Sequence, residues 1–394
     1  MKTKYFFIIY VCALAYSCHG QLQDQIITGA EQLDQYLPLL DGKKVGVVGN
    51  QSSLVGNEHL VDVLLAKGVN LQFVAAPEHG FRGTVRGGEA SDIERDERTG
   101  LPIYSIYSPT LTGYDHKTDS VISTVDVVLF DLQDVGARFY TYSTALHQAM
   151  QLCAKNNTTL IILDRPNPNG DQVDGPVRKS DEFKAVVCFH KIAMVHGLTL
   201  GELAKMINGE GWLDDGMQCD LQVVKVKNYT HKTQYDLPVK PSPNLPNHIS
   251  VRLYPSLCLF EASPASVGRG TDYPFQAVGY PDPSFGDSLF SITPRSRDNT
   301  PVEGRTYFGL NLSEIDPLTA TFTLKYILYF HKKAQEAGID FFRPQGFNIR
   351  AGNADLLEQI NAGWTEEQIR EGWKEELADY KQMRKKYLLY EDFE

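Results

Sequence analysis

Short apolar runs alternate with amphipathic stretches through the first 230 residues. The run at residues 45–48 is continuously apolar, which is typical of a parallel strand that is buried on both faces. The runs predict six strands, at residues 45–48, 71–75, 102–106, 125–130, 160–163 and 220–226. Between them, residues 60–66 and 142–153 have apolar positions at helical spacing, and Thr199 with Glu202 forms a capping box before a third helix. This alternation predicts an α/β fold with a Rossmann-like, doubly wound and mostly parallel sheet.

The pattern changes after the sixth strand. Residues 238–246 carry four prolines and little periodicity, as in a linker or a cleft wall. We therefore expect a Rossmann-like N-terminal domain over 24–240 and a smaller C-terminal α+β domain over 241–394 that completes a cleft. In the second part, residues 322–337 predict a helix, and Thr365 with Gln368 opens a last long helix.

The first residues have the features of an export signal. Lys2 and Lys4 precede an apolar run at 5–16 that is too short to span a bilayer. We expect a signal peptide over 1–20 and an exported protein, in the periplasm or associated with the outer membrane as a lipoprotein. Residues 15–18 loosely resemble a lipobox, so a lipid anchor through Cys18 is the alternative to plain cleavage.

Composition excludes several classes of partner and site. The net charge of −11 argues against a protein that wraps nucleic acid. The cysteines outside the signal show no C-x-x-C spacing, and we expect buried free thiols. The sequence contains neither a G-x-S-x-G nor an H-E-x-x-H motif, and the turn after the first strand lacks the G-x-G-x-x-G pattern of nucleotide binding. We expect no cofactor and no metal.

Polar side chains follow the predicted strands at their carboxyl ends. Such ends meet at one edge of a parallel sheet, near the point where the strand order reverses, and this edge is where doubly wound sheets bind ligands. Glu78, which follows the second strand between Pro77 and His79, is the leading candidate. The residues that we expect around a shared pocket are Asn50, Glu78, His79, Arg82, Asp131, Gln133, Asp134, Arg138, Tyr140, Asp164, Arg165, Asn167, Asn244, Glu261 and Arg269.

These residue types suit a carbohydrate. Amides and carboxylates hydrogen-bond sugar hydroxyls, and arginine binds an anionic substituent through two parallel hydrogen bonds. A glycosidase needs little more than one carboxyl group that protonates the leaving oxygen and a second group that stabilises the cation or activates water.

Several motifs in chain order also resemble a known family. They are Pro-Glu-His-Gly at 77–80, Asp-Leu-Gln-Asp-Val-Gly at 131–136, Arg-Phe-Tyr-Thr-Tyr at 138–142, Asp-Arg-Pro-Asn-Pro at 164–168, Phe-Glu at 260–261 and Gly-Arg-Gly-Thr at 268–271. Together they resemble the exo-β-N-acetylmuramidase NamZ family, glycoside hydrolase family 171, over about residues 39–390. The resemblance implies an exo-acting enzyme that removes N-acetylmuramic acid from the non-reducing end of peptidoglycan fragments such as muropeptides or disaccharides, in a cleft between two domains.

Roles follow as hypotheses. Glu78 is the general acid, and Asp131, Asp134 and Glu261 are open candidates for the second catalytic group. N-acetylmuramic acid carries a lactyl carboxylate, which Arg82, Arg138 or Arg269 would hold.

Two other functions fit the same residues. A non-catalytic periplasmic protein that binds muropeptides or sugars would use the same amides and arginines. A metal-assisted peptidoglycan amidase or deacetylase would need a metal site made by tertiary convergence, for example of His79 with Asp131 and Asp164.

Overall fold

A six-stranded parallel sheet forms the centre of the first part of the chain. The computed structural model describes residues 25–82, 95–107, 116–292 and 304–394. The expected signal peptide and Cys18 therefore lie outside the described residues. The strands of the first part are β1 (Lys44–Gly49), β2 (Leu54–Val55), β3 (Glu58–His59), β4 (Asn70–Ala76), β5 (Ile103–Ser105), β6 (Val127–Asp131), β7 (Thr159–Leu163) and β8 (Leu221–Val224). The large sheet has the order β5-β4-β1-β6-β7-β8, and β2 and β3 form a small antiparallel pair.

This order reverses between β1 and β6, which are adjacent in the sheet although β4 and β5 come between them in the chain. It is the order of a doubly wound sheet, in which the chain builds one half outward from the first strand and then returns to build the other. The central strands β1, β6 and β7 are largely apolar and buried because both faces of the sheet are covered. Val48 and Phe130 pack into one hydrophobic core, whereas Val47 and Leu129 pack into a second core on the opposite face.

Eleven helices occur in the described residues. They are α1 (Leu33–Tyr36), α2 (Leu60–Ala66), α3 (His116–Ile122), α4 (Tyr142–Asn156), α5 (Leu200–Gly209), α6 (His248–Leu257), α7 (Lys325–Glu336), α8 (Pro344–Ala351), α9 (Asp355–Asn361), α10 (Glu366–Gly372) and α11 (Lys374–Lys385). Short 3₁₀ helices lie at Leu37–Leu40, Asp181–Phe183, Asp214–Gly216, Cys258–Ala262 and Pro283–Phe285. Within the part of the chain that the structure covers, no helix combines the length and apolarity needed to cross a membrane.

The second part of the chain has a smaller antiparallel sheet and most of the remaining helices. Its strands are β9 (Ala277–Tyr280), β10 (Asp287–Ile292) and β11 (Arg305–Asn311), in the order β10-β11-β9. The predicted fold class, a mostly parallel doubly wound sheet with a smaller α+β part, is confirmed. The domain boundary expected at residues 240 and 241 stays a prediction.

One predicted helix differs from the structure. The capping box of Thr365 and Gln368 is present, but the helix that it opens ends at Gly372 and a new one begins at Lys374. Trp373 between them has φ −111° and ψ 6°, outside the helical region, and its side chain is buried. The helical spacing of apolar residues persists across this break, which is why the sequence pattern did not reveal it. The four cysteines in the described residues, Cys153, Cys188, Cys219 and Cys258, are buried free thiols, as expected.

Candidate active site

Glu78 stands on a constrained turn at the carboxyl end of β4. Pro77 ends the strand, and both His79 (φ 74°) and Gly80 (φ 75°) adopt the left-handed backbone conformation. This conformation is unfavourable for a side chain such as that of His79 and marks strain that the surrounding structure maintains. Strain of this kind is common where a functional side chain must be held in one direction.

Two hydroxyl groups hold the Glu78 carboxylate. Thr141, which precedes α4, donates a hydrogen bond from Oγ1 to Glu78 Oε2 at 2.7 Å. Tyr107, which follows β5, is also hydrogen-bonded to Glu78, and burial together with the charge of Glu78 raises the pKa of the Tyr107 phenol. The carboxylate is thus held by segments that follow two other strands of the sheet.

Glu78 opens into a cavity of about 610 Å³ that both parts of the chain line. This volume lies within the range of about 300–1,000 Å³ that is usual for small-molecule sites. Aromatic rings form much of the apolar wall, among them Tyr140, Tyr254 and Phe275. The polar lining includes Glu78, His79, Tyr107, Thr141, Ser242, Asn244, Glu261, Ser263, Ser266, Arg269 and Arg350.

A second carboxylate in the same cavity, that of Glu261, lies between two arginines. Arg269 forms an ion pair with Oε1, and Arg350 Nη2 lies 3.0 Å from Oε2. Burial acts to raise the pKa of Glu261, but the two positive charges and their hydrogen bonds outweigh it, so that its pKa is lowered. Glu261 is therefore an ionised carboxylate at neutral pH and has no proton to donate.

Six of the fifteen sequence-predicted residues line this cavity: Glu78, His79, Tyr140, Asn244, Glu261 and Arg269. The other nine are not among its lining residues: Asn50, Arg82, Asp131, Gln133, Asp134, Arg138, Asp164, Arg165 and Asn167. Most of these nine side chains are buried and hydrogen-bonded to other groups of the protein. The catalytic and binding roles given to all fifteen stay predictions.

Asp131 and Arg165 form a buried ion pair at the ends of β6 and β7. Arg165 donates from Nε to Asp131 Oδ1 at 2.5 Å and from Nη2 to Oδ2 at 2.9 Å. Neighbouring polar groups are also engaged, since Asn50 Nδ2 donates to the Tyr142 hydroxyl at 2.7 Å. Gln133 Nε2 donates to backbone carbonyls, one of them that of the adjacent residue. These contacts join the strand ends to each other.

Asp134 and Asp164 are likewise held by internal donors. Asp134 Oδ2 accepts from the amide of Gly136 at 2.7 Å. Asp164 accepts from the Thr199 hydroxyl at 2.7 Å and from the Tyr390 hydroxyl at 2.6 Å. Burial raises the pKa of Asp164 to about 6 against the opposing effect of these hydrogen bonds. The Asp164 side chain therefore lies beside the C-terminal segment of the chain.

The remaining residues of the nine are bonded in a similar way. Asn167 Nδ2 donates to the backbone carbonyl of Leu198 at 2.9 Å. Arg82 forms two hydrogen bonds with Asp96. Arg138 is 1% exposed, and its two terminal nitrogens donate to four backbone carbonyls. Neither arginine is among the residues that line this cavity.

Three of the cavity residues that were not predicted from the sequence contact Glu78 or Glu261 directly. Tyr107 follows the short third strand, so the strand-exit argument applies to it as it does to Glu78. Thr141 lies inside the Arg-Phe-Tyr-Thr-Tyr motif but carries no charge that would draw attention. Arg350 lies on α8 in a stretch without a distinctive motif, and only the tertiary structure brings it beside Glu261.

The described residues contain no group of three or more His, Cys, Asp or Glu side chains arranged to hold a metal ion. In particular, His79 lines the cavity, while Asp131 is paired with Arg165 and Asp164 is bonded to Thr199 and Tyr390.

Comparison with known proteins supports a single family. Residues 45–249 match the family model described as exo-β-N-acetylmuramidase NamZ, N-terminal, and residues 252–390 match its C-terminal counterpart. Peptidoglycan β-N-acetylmuramidase NamZ from Bacillus subtilis (strain 168) is 33% identical over 389 residues, which covers 93% of this chain and 92% of that protein.

Two crystal structures of DUF1343 family proteins from Bacteroides fragilis NCTC 9343 are also similar. One is 40% identical with a TM-score of 0.83, and the other is 27% identical with a TM-score of 0.77. Each comparison covers 93% of this chain and 99% of the other. With both family models matched along the chain and a curated relative aligned over nearly its whole length, this protein belongs to the exo-β-N-acetylmuramidase NamZ family.

Proposed function

We propose that this protein is an exo-acting glycoside hydrolase that releases N-acetylmuramic acid from the non-reducing end of peptidoglycan fragments, with Glu78 as the general acid. The family and the B. subtilis relative, a peptidoglycan β-N-acetylmuramidase, support the reaction. The position of Glu78 supports the residue assignment.

The observation that carries the assignment is the contrast between the two cavity carboxylates. Glu261 is kept ionised by Arg269 and Arg350, which removes it as a proton donor. Glu78, the other glutamate that lines the cavity, is held by the hydroxyls of Thr141 and Tyr107. A general acid must deliver a proton to the glycosidic oxygen, and Glu78 is the carboxyl group of this cavity that suits the task.

The rest of the mechanism follows from the cavity wall. As Glu78 donates its proton to the leaving oxygen, the bond between that oxygen and the anomeric carbon breaks, and positive charge develops on the sugar ring. Water supplies the new oxygen at the anomeric carbon and gives up a proton, which completes the hydrolysis. Fixed dipoles and charges that are already oriented stabilise such a transition state without further rearrangement. Of the three carboxylates considered for the second catalytic role, Asp131, Asp134 and Glu261, only Glu261 lines the cavity with Glu78.

The test is hydrolysis of a muramic acid disaccharide by Glu78→Gln, with the products separated by chromatography. We expect kcat to fall by a factor of about 10³ or more while the fold is retained, because loss of general acid catalysis alone costs about 10²–10⁴. Glu58→Gln, at an exposed glutamate of β3, is the matched control. Turnover by Glu78→Gln within tenfold of the unmodified enzyme would remove Glu78 from the role.

The same assay separates the alternatives. A non-catalytic sugar-binding protein would bind the disaccharide and leave it intact. A metal-assisted amidase or deacetylase would lose activity after treatment with a chelator, whereas we expect the release of N-acetylmuramic acid to be unaffected.

We also propose that the protein is exported and works in the periplasm or at the outer membrane. Lys2, Lys4 and the apolar run at 5–16 support export, and a cell-wall substrate is consistent with it. Mass spectrometry of the mature protein tests this proposal, since a lipid on Cys18 would add the mass of its acyl chains and Cys18→Ser would abolish that addition. A mature protein that retains residues 1–20 would contradict export by this signal.

A further inference from the structure

Two guanidinium groups share one carboxylate on the cavity wall. Arg269 and Arg350 each form an ion pair with a different oxygen of Glu261. The three side chains carry two positive charges and one negative charge, because the pKa of Glu261 is lowered and both arginines are charged. The cluster therefore has a net charge of +1 in a protein whose overall charge is −11.

We propose that Arg350, together with Arg269, forms the subsite that binds the carboxylate substituent of the sugar and thereby selects a muramic acid over a glucosamine glycoside. This inference rests on the proposed function. One bound carboxylate would balance the charge of the cluster. The side chains of Arg269 and Arg350 are 31% and 20% exposed, so both reach the cavity space.

The guanidinium group of Arg350 has N–H donors available for a ligand. Its Nη2 donates to Glu261 at 3.0 Å, and its Nη1 makes only a long contact of 3.3 Å with the backbone carbonyl of Gly346. A guanidinium has five N–H donors in a planar fork, so donors remain for a second carboxylate. Glu261 fixes the direction of both guanidinium groups and leaves N–H donors of each available for a ligand.

Helix α8 carries Arg350 into the cavity. Gly346, Ile349 and Arg350 all line it, and they lie three and four residues apart, which places them on one face of the helix. Gly346 has no side chain, and a Cβ added there would lie 3.7 Å from Arg350 Nη1 and 3.6 Å from the Ala262 side chain, so the guanidinium lies close against this part of the helix.

Arg138 fixes the end of α8 relative to the parallel sheet. Its Nη2 donates to the backbone carbonyls of Arg350 and Ala351, both at 2.8 Å, and its Nη1 donates to those of Pro176 and Ile192. Arg138 thus bonds the first part of the chain to the backbone of Arg350 itself. It acts through Arg350, so we assign it as a positioning residue of this subsite.

The experiment compares kcat/KM for a chromogenic N-acetylmuramic acid glycoside with that for the N-acetylglucosamine glycoside, which lacks the lactyl group. For Arg350→Gln we expect the ratio of the two values to fall by about 50-fold or more, mainly through KM, because a charge-assisted bidentate contact is lost. Arg370→Gln is the matched control, since Arg370 is also half-buried and pairs with two carboxylates, Asp174 and Glu366, outside this cavity. A ratio that stays within threefold in Arg350→Gln, or equal losses on both glycosides, would overturn the inference.

A binding assay separates this inference from the proposed function. Titration of Glu78→Gln with free N-acetylmuramic acid and with N-acetylglucosamine needs no turnover. We expect tighter binding of the muramic acid, and loss of that preference when Arg350→Gln is added. If the enzyme hydrolysed neither glycoside but this preference appeared and then vanished with Arg350→Gln, the proposed function would fail and the subsite would stand. No preference for the muramic acid would overturn the subsite.

Arg138→Lys tests the positioning role. A lysine ammonium cannot span the four carbonyls, so we expect the specificity ratio to fall, by less than in Arg350→Gln. Arg138→Gln gives a second route if Arg138→Lys does not fold, because a neutral side chain places no unpaired charge in this buried position. An unchanged ratio in a folded variant of either kind would remove Arg138 from this role.

Discussion

The hydroxyl of Tyr390 donates a hydrogen bond to Oδ2 of Asp164 at 2.6 Å, across 226 residues of sequence. The same hydroxyl accepts from the backbone amide of Val226 at 3.0 Å, at the end of the sheet beside β8. A residue near the C-terminus therefore completes the hydrogen bonding of a carboxylate at the exit of β7. The C-terminal segment thus stabilises the edge of the sheet at β7 and β8.

Tyr390→Phe should lower the stability of the protein. The change leaves a buried carboxylate and a backbone amide without this partner, and each unsatisfied group costs about 1–3 kcal/mol. We expect the free energy of unfolding in urea to fall by about 2–4 kcal/mol. Tyr273→Phe is the control, because Tyr273 is 43% exposed and its loss of a hydroxyl should have little effect. Equal stability of the two variants would contradict the role of Tyr390.

Asp164 should make stability fall as the pH rises from about 4 to about 6. Its pKa is raised from 3.8 to about 6 in the folded protein, so the folded state binds the proton more tightly than the unfolded state within this window. Stability is then greatest when the carboxyl is protonated and is reduced by about 3 kcal/mol once it ionises in both states.

The measurement compares the unmodified protein with Asp164→Asn by urea unfolding at pH 4.5 and pH 7. The stability of the unmodified protein relative to the variant should be greater at pH 4.5 by about 2 kcal/mol. A difference between the two proteins that is the same at both pH values would show that Asp164 does not titrate in this way.

Asp131→Asn should affect stability more than catalysis. Asp131 is fully buried and forms two hydrogen bonds with Arg165, and removing one partner of a buried ion pair costs about 3–5 kcal/mol. For the folded variant at low temperature we expect kcat to fall by less than tenfold, because Asp131 does not line the cavity.

Urea unfolding and kinetics on the same preparation give both quantities for Asp131→Asn. Asp41→Asn, at an exposed aspartate before β1, is the control. A thousandfold loss of kcat with normal stability would restore Asp131 as a catalytic residue.

Thr141→Val should lower kcat while the fold is kept. Valine matches threonine in shape but cannot donate the 2.7 Å hydrogen bond to Glu78, so the carboxyl group is less well oriented toward the substrate. We expect kcat to fall by about 10- to 100-fold, since misplacement of a catalytic group is costly. Thr124→Val, at an exposed threonine that bonds a backbone carbonyl, is the control. Full activity of Thr141→Val would show that the hydrogen bond from Thr141 is not needed to orient Glu78.

The sequence by itself determined the fold class and the place where polar side chains gather. Continuous apolar runs are long enough and regular enough to identify buried strands, as β6 and β7 illustrate. Parallel topology then places the carboxyl end of every strand at one edge of the sheet. The position of Glu78 directly after a predicted strand was therefore enough to predict it as a site residue.

Only the tertiary structure decided which of those side chains reach the cavity. Asp131 and Glu78 both lie at the carboxyl ends of strands. Arg165 binds Asp131 in the protein interior, whereas Glu78 accepts a hydrogen bond from Thr141 and lines the cavity. Arg350 lines the cavity from a helix whose end is bonded to Arg138, a contact that spans 212 residues. The direction of a side chain and its partners depend on packing between distant segments, and no local pattern of hydrophobic and polar residues encodes that packing.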